Sequence, residues 1–440
     1  MNRLFFLDLL STIADRGREI LDISTTGGSG GTKTIEQLCR DLLSGRGEAT
    51  GTALAREVAQ AWAALPPERH LDFFTTLVQA YSPDPEAVTK AAQAYTSAPD
   101  HQALARLGQV VEPPRQELIR RINMAPGGTA TVVSMRAALG RLLRDHPELK
   151  VVDADFQHLL SSWFNRGFLV LRSVNWNTPA SILEKLIAYE AVHEIQGWED
   201  LRRRLAPDRR CFAFFHPAMS DEPLIFVEVA LVHKLSDNVG DILSDAVDEA
   251  AARSASTAIF YSISNCQEGL RGISFGNFLI KQVVEELSRE MPSLRTFATL
   301  SPIPGFMGWL KEQAEGKEPL FPSEEARLLL EATSQRGWHA DADKAEALRM
   351  PLLRAAARYL AKARRGDMPR DPVARFHLGN GARLEQLNWM ANTSPKGLKE
   401  SAGMMVNYAY RLPEIERNHE ALLTEGRIIT SRSVRTLAAA

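Results

Sequence analysis

The chemistry of this 440-residue chain is best sought where glycines crowd a strand–helix junction. Thr257 to Ser264 is rich in β-branched and aromatic residues and reads as a strand. Gly269, Gly272 and Gly276 follow within a short turn. From about Phe275 the apolar residues Phe278, Leu279, Val283 and Leu287 recur at helical spacing. A second apolar run, Leu294 to Leu300, reads as another strand, ending at Ser301 and the sharp turn Pro302-Ile303-Pro304-Gly305. A helix start offers unpaired N–H groups and the positive end of the helix dipole. Glycines ahead of it let a phosphate approach the backbone closely. The spacing is neither G-x-x-x-x-G-K-[ST] nor a clean G-x-G-x-x-G, so an ordinary strand–helix turn competes with an anion-binding one.

Other chemistry-bearing stretches are weaker. Thr25 to Lys33 is glycine-rich and ends in Lys, but no strand precedes it and the Lys register is wrong for a phosphate loop, so it reads as a flexible linker. Cys39, Cys211 and Cys266 are isolated, without metal-ligand spacing, and suit a reducing cytosol. Cys266, beside the glycine turn, reads as a small packing residue. Arg202, Arg203, Arg204, Arg209 and Arg210 form a basic segment, read either as a solvated helix end or as a partner for phosphate, which Arg pairs well. No histidine among the ten stands out on residue type alone.

These residues need elements to position them. Residues 1 to about 163 read as an all-α bundle. Phe6, Leu9, Leu10 and Ile13 mark one apolar stripe, and Leu54, Val58, Trp62 and Leu65 mark another, stopped by Pro66-Pro67. Six further amphipathic segments follow, separated by Pro, Gly and Asp clusters, as in an antiparallel bundle with short connections. Near Trp163 the pattern changes. Gly167 to Arg172 reads as a strand, Pro179 to His193 as a helix, and Cys211 to His216 with Pro223 to Val232 as a hairpin. Residues 164–440 thus form an α+β domain with a mixed sheet, carrying a helical excursion at about 313–370. Two closing strands are expected at Ala382 to Ala391 and Met404 to Leu412. The balance of charges is −2, which does not favour nucleic acid as a bulk partner. No apolar run reaches membrane-spanning length. Acidic residues at Asp8 and Asp15 argue against a secretory signal, and TLAAA is not a peroxisomal address. The expectation is a cytoplasmic protein without membrane contact.

Four stretches carry a resemblance. GISFGNFLIK (Gly272 to Lys281), SPIPGF (Ser301 to Phe306), FHPAMSDEPLIFVEVAL (Phe215 to Leu231) and FHLGNGARLEQLNWMA (Phe376 to Ala391) together resemble the malonyl-CoA decarboxylase family. The similarity covers most of the chain from about Ser162 onward. It implies a GNAT-like catalytic domain, in which two neighbouring strands splay to admit an acyl thioester. Gln267 to Gly272 then resembles the pyrophosphate-cradling turn of that fold. The basic segment becomes a candidate for the 3′-phosphate of coenzyme A.

The resemblance also implies roles. Ser301 and His377 would be the catalytic pair. His377 would protonate C2, an imidazole titrating near working pH. Ser301 would hydrogen-bond the malonyl carboxylate or take its proton. Arg271, Gly272, Ile273, Ser274, Phe275, Gly276 and Asn277 would contact coenzyme A, Ile280 would line the groove, and Tyr410 would stand near the acyl group. Malonyl-CoA would be the substrate and acetyl-CoA the product, with no metal and no organic cofactor, since the thioester itself accepts the electrons. A homo-oligomer is expected, with the helical domain supplying subunit contacts. Two other readings stay open at this point: an acyltransferase on the same fold, and a non-catalytic acyl-CoA-sensing module.

Overall fold

The computed structural model describes residues 12, 33–44, 47–244, 247, 249–273, 275, 279–316 and 320–439. The stripe expected at Phe6 to Ile13 and the glycine-rich stretch from Thr25 therefore lie almost wholly outside the described residues. The chain divides into two compact units. The first holds residues up to Leu169 together with 216–222 and 267–275, and the second holds 170–215, 223–266 and 276–440.

Eight α-helices of the first unit are described: α1 (Ile35–Leu43), α2 (Glu48–Ala63), α3 (His70–Ala80), α4 (Pro85–Ser97), α5 (His101–Val111), α6 (Pro114–Asn123), α7 (Gly128–Leu142) and α8 (Lys150–Trp163). Their starts are written in the sequence. Thr34 and Gln37 form a reciprocal capping box, and Asp84 and Asp100 accept backbone N–H groups at the starts of α4 and α5. The interior is apolar, with Trp62 of α2 against Phe73 and Phe74 of α3. Two arginines of this interior are buried with partners: Arg115 with Asp155, and Arg136 with Asp153 at 2.8 Å.

The glycine turn belongs to this helical unit. Arg136 of α7 donates to the carbonyl oxygens of Gly269 (2.7 Å) and Arg271 (2.9 Å). Phe275 is buried with its ring 6.5 Å from that of Phe164. A Cβ on Gly269 would stand 1.9 Å from the Val133 carbonyl oxygen, so this glycine is required by the approach of α7. Gly272 has φ +80°, the left-handed region that L side chains resist.

The second unit is built on a sheet. Its strands are β1 (Val170–Val174), β2 (Arg209–His216), β3 (Met219–Val232), β4 (Thr257–Asn265), β5 (Thr296–Thr299) and β6 (Ser301–Pro302), with β9 (Arg383–Asn388) and β10 (Met405–Ala409) after the small hairpin β7 (Arg364–Arg365) and β8 (Met368–Pro369). The sheet runs β1-β2-β3-β4-β5-β10-β6, and β9 also pairs with β10. Among the registers described, all are antiparallel except β4–β5. A parallel pair needs a crossover, here α13 (Leu279–Glu290), whose Leu279, Ile280, Val283, Val284 and Leu287 are buried. The β4–β5 ladder runs from Thr257↔Thr296 to Phe260↔Thr299, while β4 continues to Asn265. The ladder stops at Thr299 because β5 itself ends there. The remaining helices in chain order are α9 (Ala180–Tyr189), α10 (Trp198–Arg204), α11 (Val239–Leu243) and α12 (Glu249–Ser254) before α13, then α14 (Phe306–Ala314), α15 (Ser323–Ser334), α16 (Ala342–Lys362), α17 (Pro372–Gly379), α18 (Pro395–Ser401), α19 (Ile415–Glu425) and α20 (Arg432–Ala439). No described helix is long and apolar enough to cross a membrane.

Two expectations shift. The strand expected at Gly167 to Arg172 begins instead at Val170, because a single 3-10 turn occupies Arg166–Phe168. The helix expected to reach His193 ends at Tyr189, where Glu190 turns extended and its carboxylate accepts the N–H groups of Val192 and His193.

The Gly269 contact yields a stability prediction. Gly269→Ala forces α7 and the turn apart, a strain on the order of 1–3 kcal/mol. A thermal melt should show a midpoint several degrees below wild type, and an unchanged midpoint would contradict the packing described.

Candidate active site

Strand register brings the first groups together. β10 runs antiparallel to β5 and then β6 in one continuous register, Ala409↔Ala298, Val406↔Ser301 and Met405↔Pro302. Alternation puts Thr299 and Ser301 on one face, across from Tyr408 and Val406, and Tyr410, two residues beyond Tyr408, shares that face. The other face carries Ala298, Leu300 and Met405 into a core with Ile259 and Ile242. The catalytic face thus differs from its reverse only by side-chain parity.

His377 meets this face from α17, where it occupies the last turn. The sequence reading assigns it to no helix. It is helical because Asp371 caps the N-terminus and Pro372 takes the first position. Its Nε2 lies 3.1 Å from Ser301 Oγ, and its Nδ1 lies 2.8 Å from the Tyr410 hydroxyl. The Tyr408 ring stacks on the imidazole, centroids 4.7 Å apart and planes 25° apart. Ser301 Oγ in turn donates to Thr299 Oγ1 at 2.8 Å, and Thr299 Oγ1 accepts the Tyr408 N–H at 3.1 Å. Ser301, His377 and Tyr410 are all buried.

Burial sets the electrostatics. It alone pulls His377 from its ordinary 6.5 down to about 3, since no anion stands by to hold a proton on the ring. The same burial pushes the Tyr410 phenol well up. The resemblance implies an imidazole titrating near working pH; burial instead favours its neutral form. With Ser301 giving its one hydroxyl proton to Thr299, Nε2 must donate to Ser301 Oγ, and Nδ1 of the neutral ring then accepts from the Tyr410 hydroxyl. Hydrogen bonds then run one way, from Tyr410 O–H to Nδ1, from Nε2–H to Ser301, and from Ser301 to Thr299.

The other expected contacts fall differently. Arg271 and Gly272 are exposed, Ile273 and Phe275 are buried, and all four belong to the helical unit. Ser274, Gly276 and Asn277 lie outside the described residues. Ile280 is buried in the apolar face of α13. Beside the turn, Arg141 and Arg271 line a recess with Glu268, and Arg141 pairs with Glu268 at 2.7 Å.

The basic segment is mostly committed elsewhere. Arg203 grips Asp208, Arg204 grips Glu228 and Asp200, and Arg209 grips Asp208, all three arginines being buried. Arg210 pairs with Glu290 at 2.7 Å. Arg202 stands over the Trp176 ring. A solvated helix end is not what Arg203, Arg204 and Arg209 form, since burial commits each of them to a carboxylate.

Groups missed in the sequence are Thr299, Tyr408 and Asp371. The first two were signalled by their spacing of two from Ser301 and Tyr410 on strands. Asp371 was signalled by its place directly before Pro372, a helix-start pattern.

Comparison with known proteins agrees with this architecture. The malonyl-CoA decarboxylase C-terminal domain model matches residues 167–440, and the N-terminal domain model matches residues 81–164. Malonyl-CoA decarboxylase from Rhodopseudomonas palustris superposes with a TM-score of 0.88 at 49% identity, covering 92% of this chain and 100% of that one. The enzyme of that name from Agrobacterium vitis superposes with a TM-score of 0.85 at 51% identity, covering 92% and 99%. A goose (Anser anser anser) protein named mitochondrial malonyl-CoA decarboxylase is 37% identical over 357 residues, 76% of this chain and 71% of its own. The chain belongs to the malonyl-CoA decarboxylase family.

Proposed function

We propose that this protein converts malonyl-CoA to acetyl-CoA and carbon dioxide without metal or organic cofactor, with Ser301, His377 and Tyr410 as its proton-handling groups. The observation that carries the reading is the buried line of hydrogen bonds through the imidazole, from Tyr410 to Nδ1 and from Nε2 to Ser301. The substrate enters as a carboxylate. Its transfer from water into an apolar cleft weakens the hydration that holds its charge, which favours loss of carbon dioxide. The C–C bond electrons pass into the thioester as an enolate. On binding, the Ser301 hydroxyl turns from Thr299 to the malonyl carboxylate and holds it out of the thioester plane. Nε2–H, released from Ser301, then delivers its proton to C2. The Tyr410 hydroxyl keeps donating to Nδ1 and steadies the ring as the proton leaves Nε2, and after product release a proton from solvent returns to Nε2. One proton is taken from solvent per turnover, and the ring is never a cation.

Coenzyme A is held by the turn at Arg271 to Asn277. Arg141 and Arg271, beside the recess, suit its phosphates better than the ion-paired arginines of 203–209, since a guanidinium already satisfied by a buried carboxylate has no fork left to offer. The three cysteines are buried thiols, which fits a reducing compartment such as the cytosol.

The helical unit supplies self-association. No residue of α5 is buried, and Leu104 and Val111 stand 49% and 46% exposed. An amphipathic helix with an uncovered apolar stripe is a contact surface. Leu104→Glu should lower the subunit number measured by sedimentation while leaving the helical content unchanged, and an unaltered assembly would rule out this face.

The catalytic test is direct. Purified protein and malonyl-CoA, with no acceptor added, should release carbon dioxide and acetyl-CoA, which separates this reading from an acyltransferase and from a sensor. Losing a general acid or a donor to developing charge costs on the order of 10²–10⁴ in rate. Ser301→Ala and His377→Ala should each fall within that range while melting cooperatively. Wild-type turnover in either variant removes that residue from the reaction.

A further inference from the structure

The contact between Ser301 and His377 joins segments 76 residues apart in sequence. Neither motif alone determines how close they come. One carboxylate touches both. Asp371 is 1% exposed. Its Oδ1 accepts the N–H groups of Val373 and Ala374, both at 3.0 Å, as the cap of α17. Its Oδ2 reaches away from that helix. It accepts the Gly305 N–H at 3.3 Å, four residues beyond Ser301, and the Tyr359 hydroxyl at 3.2 Å.

The division of labour is informative. Capping a helix takes a single oxygen, which Asn or Ser supplies as well. A carboxylate is required here only for the second oxygen, and that oxygen serves the Ser301 segment. All four donors are neutral, so no cation offsets the burial of this group. Gly305 completes the fit: a Cβ there would stand 2.1 Å from the Tyr359 hydroxyl. Tyr359, from α16, is itself wedged against Phe306 and Trp309 of α14, the helix that follows the Ser301 turn. The far end of α17 is held too, by His419 Nδ1 at 2.8 Å from the Gly379 carbonyl and by Asn418 donating to Gly381.

We propose that Asp371 is a positioning residue whose Oδ2, through Gly305 and Tyr359, sets the separation of Ser301 and His377. The inference rests on the reading of those two residues given above. A misplacement of reacting groups by about 1 Å can cost on the order of 10²-fold in rate, so the effect should appear in kcat and not in KM.

Asp371→Asn tests it, because the amide keeps Oδ1 for the cap but turns N–H groups toward the Gly305 N–H. In the full-length protein kcat for malonyl-CoA should fall about 10- to 100-fold, with KM within about twofold of wild type. In a Ser301→Ala background the same change should cost little more, since the separation no longer matters there. Tyr359→Phe removes one donor without touching the cap. It should lower kcat about threefold or more at constant KM, and it decides the matter if Asp371→Asn does not fold. A folded Asp371→Asn protein with wild-type kcat overturns the proposal, as does a full additive loss on Ser301→Ala. An unimpaired Ser301→Ala protein instead overturns the reading of the site, and this inference with it.

Discussion

Everything in the catalytic unit turns on one hydrogen bond made out of reach of water, between Ser301 and His377. A buried imidazole with no anion beside it cannot hold a second proton, because the charged form loses its hydration and gains nothing in return. The ring is therefore neutral, a donor at one nitrogen and an acceptor at the other. Ser301, its proton committed to Thr299, decides which nitrogen is which. Tyr408 stacks on the ring face and keeps its plane in line with the strand edge. A Ser–His contact of this kind differs from a nucleophile activated by a base: the serine is the acceptor, and its own proton points away toward Thr299.

The rest of the unit can be read as the means of holding that contact. The unbroken register of β10 against β5 and β6 puts four polar side chains in a row on one face. Helix α17 carries the imidazole down onto them. Large buried ion pairs occur well away in sequence, at Arg203–Asp208 and Arg204–Glu228, and brace the strands and helices of the other sheet edge. Charge is thus used for structure there and kept out of the reacting centre.

The strand–turn–helix–strand around residues 257–300 was legible because three independent signals agreed. Those were β-branched runs, glycines, and a helical apolar period ending at a proline-rich turn. The pairing of Ser301 with His377 was legible only through resemblance, since no local rule links residues so far apart. The helix that carries His377 was not read from the sequence, although Asp371-Pro372 six residues earlier is a helix-start pattern. The depressed basicity of His377 was invisible, because burial is a property of the assembled core and not of any one segment. Gly269 was read as an accommodation to a ligand, whereas the close approach of Val133 already requires it. The terminal helices α19 and α20 were passed over, although α20 is strongly amphipathic.

The pH dependence of kcat/KM for malonyl-CoA tests the neutral ring most directly. With His377 drawn down from 6.5 to about 3, the ring holds one proton throughout the range above that value. The account predicts a profile without an inflection between about pH 5.5 and 7.5, the window in which an ordinary histidine titrates. A rate that falls with rising pH about a midpoint near 6.5, absent from a His377→Gln variant, would mean that an imidazolium does the work and would contradict it.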